Sequence, residues 1–287
     1  MSENAHARAD DMDTLTTAEL LELMNVEDRR AVAAVHAAFD SVEAAVEQIV
    51  ARLSSGGRLH YFGAGTSGRL ATLDALECPG TFGVPEDLVV AHAAGDGEAE
   101  DDHDKGADDA RRAALGPRDA VVGVSAGGRT AYVLAAVAEA KREGAFVIGL
   151  SCAPGSPLGA AADVAIEVDV GPEVIAGSTR LKAGTAQKVT LNMISTGVFM
   201  RLGHTYRGRM VDVVVANEKL RGRAARMVRE LTGGSDERVD SALRDAGGNP
   251  KLAIMMLRSG IGAADARDRL KAVDGDLAVA LGEKAGA

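Results

Sequence analysis

The stretch RLHYFGAGTSGRL, residues 58–70, decides the fold class. Its first five residues have the length of a short strand and include the large apolar or aromatic side chains Leu59, Tyr61 and Phe62. The glycine-rich turn GAGTSG follows at once, and we expect the chain to continue from it as a helix. A strand that passes through such a turn into a helix is the first half of a strand–helix–strand unit, which is typical of a parallel sheet.

Four more short runs rich in branched apolar residues follow along the chain, and helical patterns fill most intervals between them. This alternation predicts an α/β fold in which a five-stranded parallel sheet is flanked by helices on both faces, a three-layer sandwich. Ligands of such sheets bind beyond the carboxyl ends of the strands. The predicted strands are residues 58–62, 88–93, 120–124, 145–150 and 164–168, and the clearest intervening helix is 130–142.

Helical patterns also lie before and after the predicted sheet. An apolar stripe at three- and four-residue steps predicts one buried helix over residues 35–53, ended by Gly56 and Gly57. A long helix is expected over 178–202, with Ser178 or Thr179 as its cap. The expected domains are a disordered segment 1–14, an α/β domain 15–216 and a small helical domain 217–287, with helices at 221–231, 236–246, 250–257 and 263–273.

Composition excludes several classes of function. The net charge of -10 and the 3% content of aromatic residues disfavour nucleic-acid and anionic-lipid binding. No apolar stretch reaches the roughly 18 residues of a membrane span, and the polar, acidic start lacks a secretory segment, so we expect a cytoplasmic protein. Cys78 and Cys152 are then two reduced thiols. The histidines show no paired ligand spacing, so no metal site is expected.

The glycine-rich turn has three interpretations. Glycines allow close backbone approach to an anion, and the start of the following helix favours a phosphate, to which Thr66 and Ser67 add hydroxyl donors. Glycines at 63, 65 and 68 also match the dinucleotide fingerprint. That motif expects an acidic residue about 20 positions later, where Leu88 stands, and Asp96 comes late. The turn then favours a sugar phosphate, with a dinucleotide or a purely structural turn as alternatives.

Two further segments carry the same chemistry. Ser125-Ala126-Gly127-Gly128-Arg129-Thr130 follows the third predicted strand, and two such turns at adjacent strand ends would surround one phosphate. Residues 171–188, GPEVIAGSTRLKAGTAQK, place hydroxyl and basic side chains at the start of the long predicted helix. The candidate substrate-binding residues are Gly65, Thr66, Ser67, Ser125, Arg129, Thr130, Glu173, Ser178, Thr179 and Lys182.

Residues 63–69 and 171–188 resemble the N-acetylmuramic acid 6-phosphate etherases, which share a sugar isomerase-type fold and signature with the glucokinase regulatory proteins. The resemblance spans nearly the whole chain and includes residues 25–28, 74–79, 210–213 and 217–220. It implies a lyase that removes the D-lactyl ether of its substrate by elimination and water addition. It also implies that no cofactor is needed and that the protein is a homodimer with sites near the subunit boundary.

Two carboxylic acids carry the chemistry that the resemblance implies. Glu77 matches the family's acid in the context Asp-Ala-x-Glu-Cys-Pro. The base position falls on Asp108, where Gly106-Ala107-Asp108-Asp109 replaces the family's Gly-Ala-Glu-Asp; Asp109 and Glu100 are substitutes. Gly127 replaces a serine of the family's second turn.

Two other functions remain as alternatives to the lyase. A sugar-phosphate-sensing regulatory protein would bind the same ligand without chemistry. Such regulators resemble two sugar isomerase-type halves fused into one chain. This chain of 287 residues contains only one such half, which favours the enzyme. A dehydrogenase is the third candidate, and the mismatch to the dinucleotide fingerprint counts against it.

Overall fold

A computed structural model describes residues 4–95, 97–213 and 218–284, without the side chain of Lys219. The chain divides into two compact units: Met1–Leu76 with Glu86–Gly197, and Glu77–Pro85 with Val198–Ala287. The first unit contains a five-stranded parallel sheet with the order β2-β1-β3-β4-β5, which confirms the predicted fold class. Its strands are β1 Leu59–Gly63, β2 Val89–Ala93, β3 Ala120–Val124, β4 Phe146–Ser151 and β5 Val164–Glu167.

The strand order positions the two glycine turns. β1 pairs with β2 on one side and with β3 on the other, so the order of strands reverses at β1. In sheets of this order, ligands bind where the direction changes. Gly63 and Val124, the last residues of β1 and β3, are partners in the register. The turns that follow them therefore start side by side.

The helices of the first unit differ from the prediction at one point, where two helices replace an expected single one. The single helix over residues 35–53 is wrong, because Ala38 leaves helical geometry and separates two helices. Val35 then lies on the first of them and Phe39 begins the second. The helices are α1 Thr17–Ala37, α2 Phe39–Ser54, α3 Gly65–Phe82, α4 His103–Arg112, α5 Ala131–Arg142, α6 Pro157–Ala161 and α7 Lys182–Arg201; the last residues of α3 and α7 belong to the second unit.

The second unit is mainly helical and has its own aliphatic core, which includes Val228, Val239 and Ile254. A short antiparallel pair, β6 Thr205–Tyr206 and β7 Arg209–Met210, precedes its helices. These are α8 Glu218–Thr232, α9 Asp236–Asp245, α10 Pro250–Ser259, α11 Ala263–Lys271 and α12 Leu277–Ala280.

The ends of the expected domains fall partly on residues that the structure does not describe. The expected boundary between 216 and 217 lies outside the described residues, and the division by contacts falls at Gly197 and Val198. Of the segment 1–14, residues 1–3 lie outside the described part, and Ala9–Thr14 form a short 3-10 helix. Among the described residues, every helix is too short or too polar to cross a membrane.

Candidate functional site at the carboxyl edge of the sheet

The turn after β1 leads into the start of α3. The Gly65 N–H donates to the Gly95 carbonyl at 2.8 Å, and the Gly68 N–H donates to Ala64 at 3.0 Å. Within the described ranges, no hydrogen bond engages the N–H groups of Thr66 and Ser67. These two groups lie at the positive end of α3, so the turn offers backbone donors to an anion.

The turn after β3 is held by its own hydroxyls. The Ser125 and Thr130 hydroxyl oxygens lie 2.8 Å apart, and the Gly128 N–H donates to Ser125 Oγ at 3.1 Å. Gly128 has a φ of +65°, and a Cβ there would lie 2.5 Å from Ser156, so this position requires glycine. A Cβ at Gly127 would meet nothing within 4 Å, so a serine like that of the family would fit.

Glu173 caps α7 from nine residues before its first residue. Its side chain is fully buried, and its two carboxylate oxygens accept the N–H groups of Lys182 and Ala183 at 3.0 and 2.9 Å. The expectation that Ser178 or Thr179 caps a helix beginning at 178 is therefore wrong, since residues 179–181 form a turn and α7 begins at Lys182. The positive end of α7 already holds a carboxylate, so it is less open to a phosphate than the start of α3.

Lys182 points away from solvent and pairs with α1. Its Nζ lies 2.5 Å from Glu27 Oε2, and both side chains are almost completely buried. Arg30 and His6 also contact the Glu27 carboxylate, at 2.6 and 3.4 Å. These contacts lower the pKa of Glu27 although burial alone would raise it. Removing one partner of a buried ion pair strongly destabilises the folded protein, so Lys182 has a structural role here.

A cavity of about 370 Å³ lies beside the turn after β3. It brings together three of the predicted binding residues, Arg129, Glu173 and Thr179. Cys152 also lines it, and burial, with the charges of Glu173 and Asp169, raises the pKa of this thiol to about 12. The thiol is therefore protonated near neutral pH and is a poor nucleophile.

Ser67 faces α7 rather than open solvent. Its side chain is buried, and its Oγ lies 3.0 Å from Gln187 Oε1. As assigned, the hydroxyl donates its only proton to that oxygen, and the buried Gln187 Nε2 has no partner in the described part of the chain. The opposite orientation of the amide would pair Nε2 with Ser67 Oγ and release the hydroxyl proton for a ligand.

The two predicted catalytic carboxylates differ in their surroundings. Glu77 lies on α3 and is exposed, between the exposed Leu76 and the buried Cys78. It follows Thr66 by eleven helical residues, about 16 Å along the axis, so α3 does not bring it to the glycine turns of its own chain. Asp108 lies on α4 with half of its side chain exposed and contacts Arg111, one helical turn later. Arg111 also lies 3.5 Å from the buried Glu139, so it joins the half-exposed carboxylate of Asp108 to a buried one.

Asp109 is held much more firmly than Asp108. Lys105 Nζ and the Tyr132 hydroxyl donate to its Oδ2 at 2.6 and 2.9 Å. Burial opposes ionisation of this carboxyl, but the two hydrogen bonds outweigh it and lower the pKa of Asp109. Because Tyr132 lies on α5, Asp109 joins α4 to α5, which makes Asp108 the freer of the two adjacent acids.

Sequence comparison with known proteins identifies the family. The model described as the SIS domain matches residues 100–196. A protein of Rubrobacter xylanophilus named N-acetylmuramic acid 6-phosphate etherase is 50% identical over 281 residues, which cover 95% of this chain and 93% of that relative. The chain belongs to the N-acetylmuramic acid 6-phosphate etherase family. A second relative of that name, from Jannaschia sp., is 48% identical and covers 88% of this chain and 83% of its own length.

Solved structures agree on the fold. The phosphoheptose isomerase of Francisella tularensis matches with a TM-score of 0.53 at 16% identity, over 65% of this chain and 100% of that one. The enzyme of the same name from Neisseria gonorrhoeae matches with a TM-score of 0.50 at 20% identity, over 64% and 98% of the two chains. Family membership thus favours the etherase over the regulatory protein and the dehydrogenase.

Proposed function

We propose that this protein is a carbon–oxygen lyase that cleaves the D-lactyl ether of N-acetylmuramic acid 6-phosphate, giving N-acetylglucosamine 6-phosphate and D-lactate. The observation that carries this proposal is the 50% identity over 281 residues to a relative with the etherase name. Release of D-lactate from the purified substrate tests it. We assign the reaction to the cytoplasm, where the buried thiols Cys78 and Cys152 stay reduced.

The proposed chemistry needs one base and one acid. The open-chain sugar carries an aldehyde, which makes the hydrogen on C2 acidic enough for Asp108 to remove. The bond from C3 to the lactyl oxygen then breaks, and that oxygen takes its proton from Glu77, which a second copy of the chain would supply across the proposed subunit boundary. Water adds at C3 of the unsaturated aldehyde while C2 regains a proton, so substrate and water balance the two products.

We propose that the sugar phosphate binds where the two glycine turns meet. The turns leave from register partners at the ends of β1 and β3. The N–H groups of Thr66 and Ser67, which have no hydrogen-bond partner among the described residues, lie at the start of α3. Thr66 is half-buried there, and Arg129 lines the adjacent cavity. Backbone donors, a hydroxyl and a guanidinium are the groups that proteins use to hold a phosphate.

Replacing Thr66 by valine is expected to weaken substrate binding much more than folding. Loss of a hydrogen bond to a charged group corresponds to about 1.5 to 3 kcal/mol, so KM should rise roughly 10- to 150-fold. Steady-state kinetics measures this directly. Thr66→Val is cleaner than a change at Ser67, whose hydroxyl also contacts the buried Gln187.

Thr72→Val is the matched control for this change. Its hydroxyl donates to the Gly68 carbonyl within the same helix at 2.8 Å and faces no proposed ligand. The control should keep a normal KM. An unchanged KM in Thr66→Val would mean that the first turn is structural only.

We propose that the active form is a homodimer. Leu73 and Leu76 on α3 are 50% and 74% exposed on either side of the Asp74 position, and Leu21 on α1 is 62% exposed. Leu73 and Leu76 are three residues apart and so are neighbours on one face of α3. Contiguous exposed apolar side chains mark protein–protein contact surfaces. Light scattering at micromolar concentration should give twice the chain mass of 29.5 kDa, and a single-chain mass would contradict the proposal.

A further inference from the structure

The side chain of Asp74 is a buried carboxylate that has no role in the proposed chemistry. It lies on α3 with 5% of its surface exposed. The Tyr61 hydroxyl on β1 donates to its Oδ2 at 3.0 Å. Asn192 Nδ2 and Ser195 Oγ, both on α7, donate to its Oδ1 at 2.7 and 3.0 Å. Burial of a carboxylate is unfavourable unless it is hydrogen-bonded, so this arrangement ties α3 both to the sheet and to α7.

The helical turn after Asp74 has a weaker backbone than the rest of α3. Pro79 lies inside the helix and has no N–H, so the Ala75 carbonyl lacks its usual partner four residues later. The pyrrolidine ring also disfavours helical geometry at the residue before it. Glu77 lies in the middle of this interrupted turn. Its backbone is held by fewer hydrogen bonds than the backbone in the rest of α3.

We infer that Asp74 is a positioning residue for Glu77. This inference rests on the proposed role of Glu77 as the acid. Glu77 follows Asp74 by three residues, which places it about 60° around the helix axis and roughly 4.5 Å along it. The three hydrogen bonds to Asp74 fix the rotation and height of α3 just before the interrupted turn, and so fix where the Glu77 side chain leaves the helix. A displacement of about 1 Å at a reacting group can lower a rate about 100-fold.

The rates of two reactions distinguish a misplaced catalytic acid from a protein that is damaged as a whole. Removal of the C2 hydrogen uses the base, and its exchange can be followed in deuterated water; D-lactate release also needs the acid. Asp74→Asn keeps the size of the side chain but turns one acceptor into a donor facing the same hydrogen-bond donors. We expect lactate release to fall roughly 10- to 100-fold and C2 exchange to stay within about threefold of the unchanged protein.

Asp119→Asn is the matched control. Asp119 is also a buried aspartate of the first unit, and its oxygens accept the N–H groups of Arg58 and Gly116 at 2.8 and 2.9 Å. It precedes β3, and these hydrogen bonds go to the segments before β1 and before β3 rather than to α3 or α7. A purely structural change there should lower both reactions together, in proportion to the folded fraction measured by urea unfolding.

The same set of variants includes Glu77→Gln. In this variant the rate of lactate release should fall most strongly relative to the rate of C2 exchange. If Glu77→Gln separates them but Asp74→Asn lowers both equally or neither, the inference about Asp74 is wrong while the proposed function stands. If Glu77→Gln itself shows no separation, the assigned role of Glu77 fails and this inference fails with it. Should Asp74→Asn not fold, Ser195→Ala removes one donor only, and an intact lactate rate in that variant would overturn the inference.

Discussion

Replacing Asp108 by asparagine is expected to abolish D-lactate release and C2 exchange together. The amide cannot take the C2 proton, and both reactions begin with that step. General base catalysis contributes about 10²- to 10⁴-fold, so both rates should fall by that range. Lactate assay and deuterium incorporation, measured on the same sample, check the result.

Two neighbouring variants act as controls for the base. Asp104 lies on the same helix and is fully exposed, so Asp104→Asn should leave both rates unchanged. Asp109→Asn should reduce stability, because it weakens the contacts with Lys105 and Tyr132. Intact rates in Asp108→Asn would place the base elsewhere in the acidic segment. Asp108→Glu, which restores the family's longer side chain, is expected to raise activity if the shorter reach limits this protein.

Replacing Glu77 by glutamine is expected to separate the two reactions. Glutamine keeps the size of the side chain but cannot donate the proton that the departing lactyl oxygen needs, so lactate release should fall by about 10² to 10⁴. C2 exchange should survive in part, because Asp108 still removes the proton. Glu86→Gln, at an exposed position after α3, is the control and should keep both rates. Loss of exchange with preserved lactate release in Glu77→Gln would mean that the two roles are reversed.

The sheet was predictable because each strand has a local signal. Runs rich in branched apolar residues fill β2 to β5, and β1 is the stretch with Leu59, Tyr61 and Phe62 before the first glycine turn. All five strands begin and end within one residue of their predicted bounds. The strand order was not predictable in this way, because consecutive strands usually neighbour each other, whereas β2 lies at the edge of the sheet and β1 pairs with β3. That pairing, which only the folded chain shows, brings the starts of the two glycine turns side by side.

The break between α1 and α2 carried no comparable signal. Ala38 is a strong helix former, and neither glycine nor proline marks the point where α1 ends and α2 begins. A signal for the start of α1 was present: Thr16 and Glu19 form a capping box three residues apart, which the apolar pattern alone does not consider.

The candidate site shows why local rules identify some residues and miss others. Rules for helix starts examine the residue directly before the helix, whereas Glu173 caps α7 from nine positions away through a turn. Lys182 looks like an anion ligand in the sequence, and its partner Glu27 is 155 residues distant. The contacts of Asp74 with Asn192 and Ser195 span 118 and 121 residues, so only the folded chain brings them together.

The central claim is that this chain cleaves the ether rather than only binding the sugar phosphate. Incubation of the purified protein with N-acetylmuramic acid 6-phosphate, followed by an assay for D-lactate, tests it most directly. We predict stoichiometric release of D-lactate and N-acetylglucosamine 6-phosphate, abolished in Asp108→Asn. Tight binding of the substrate without release of D-lactate would contradict the claim and would favour the sugar-phosphate-sensing regulatory protein instead.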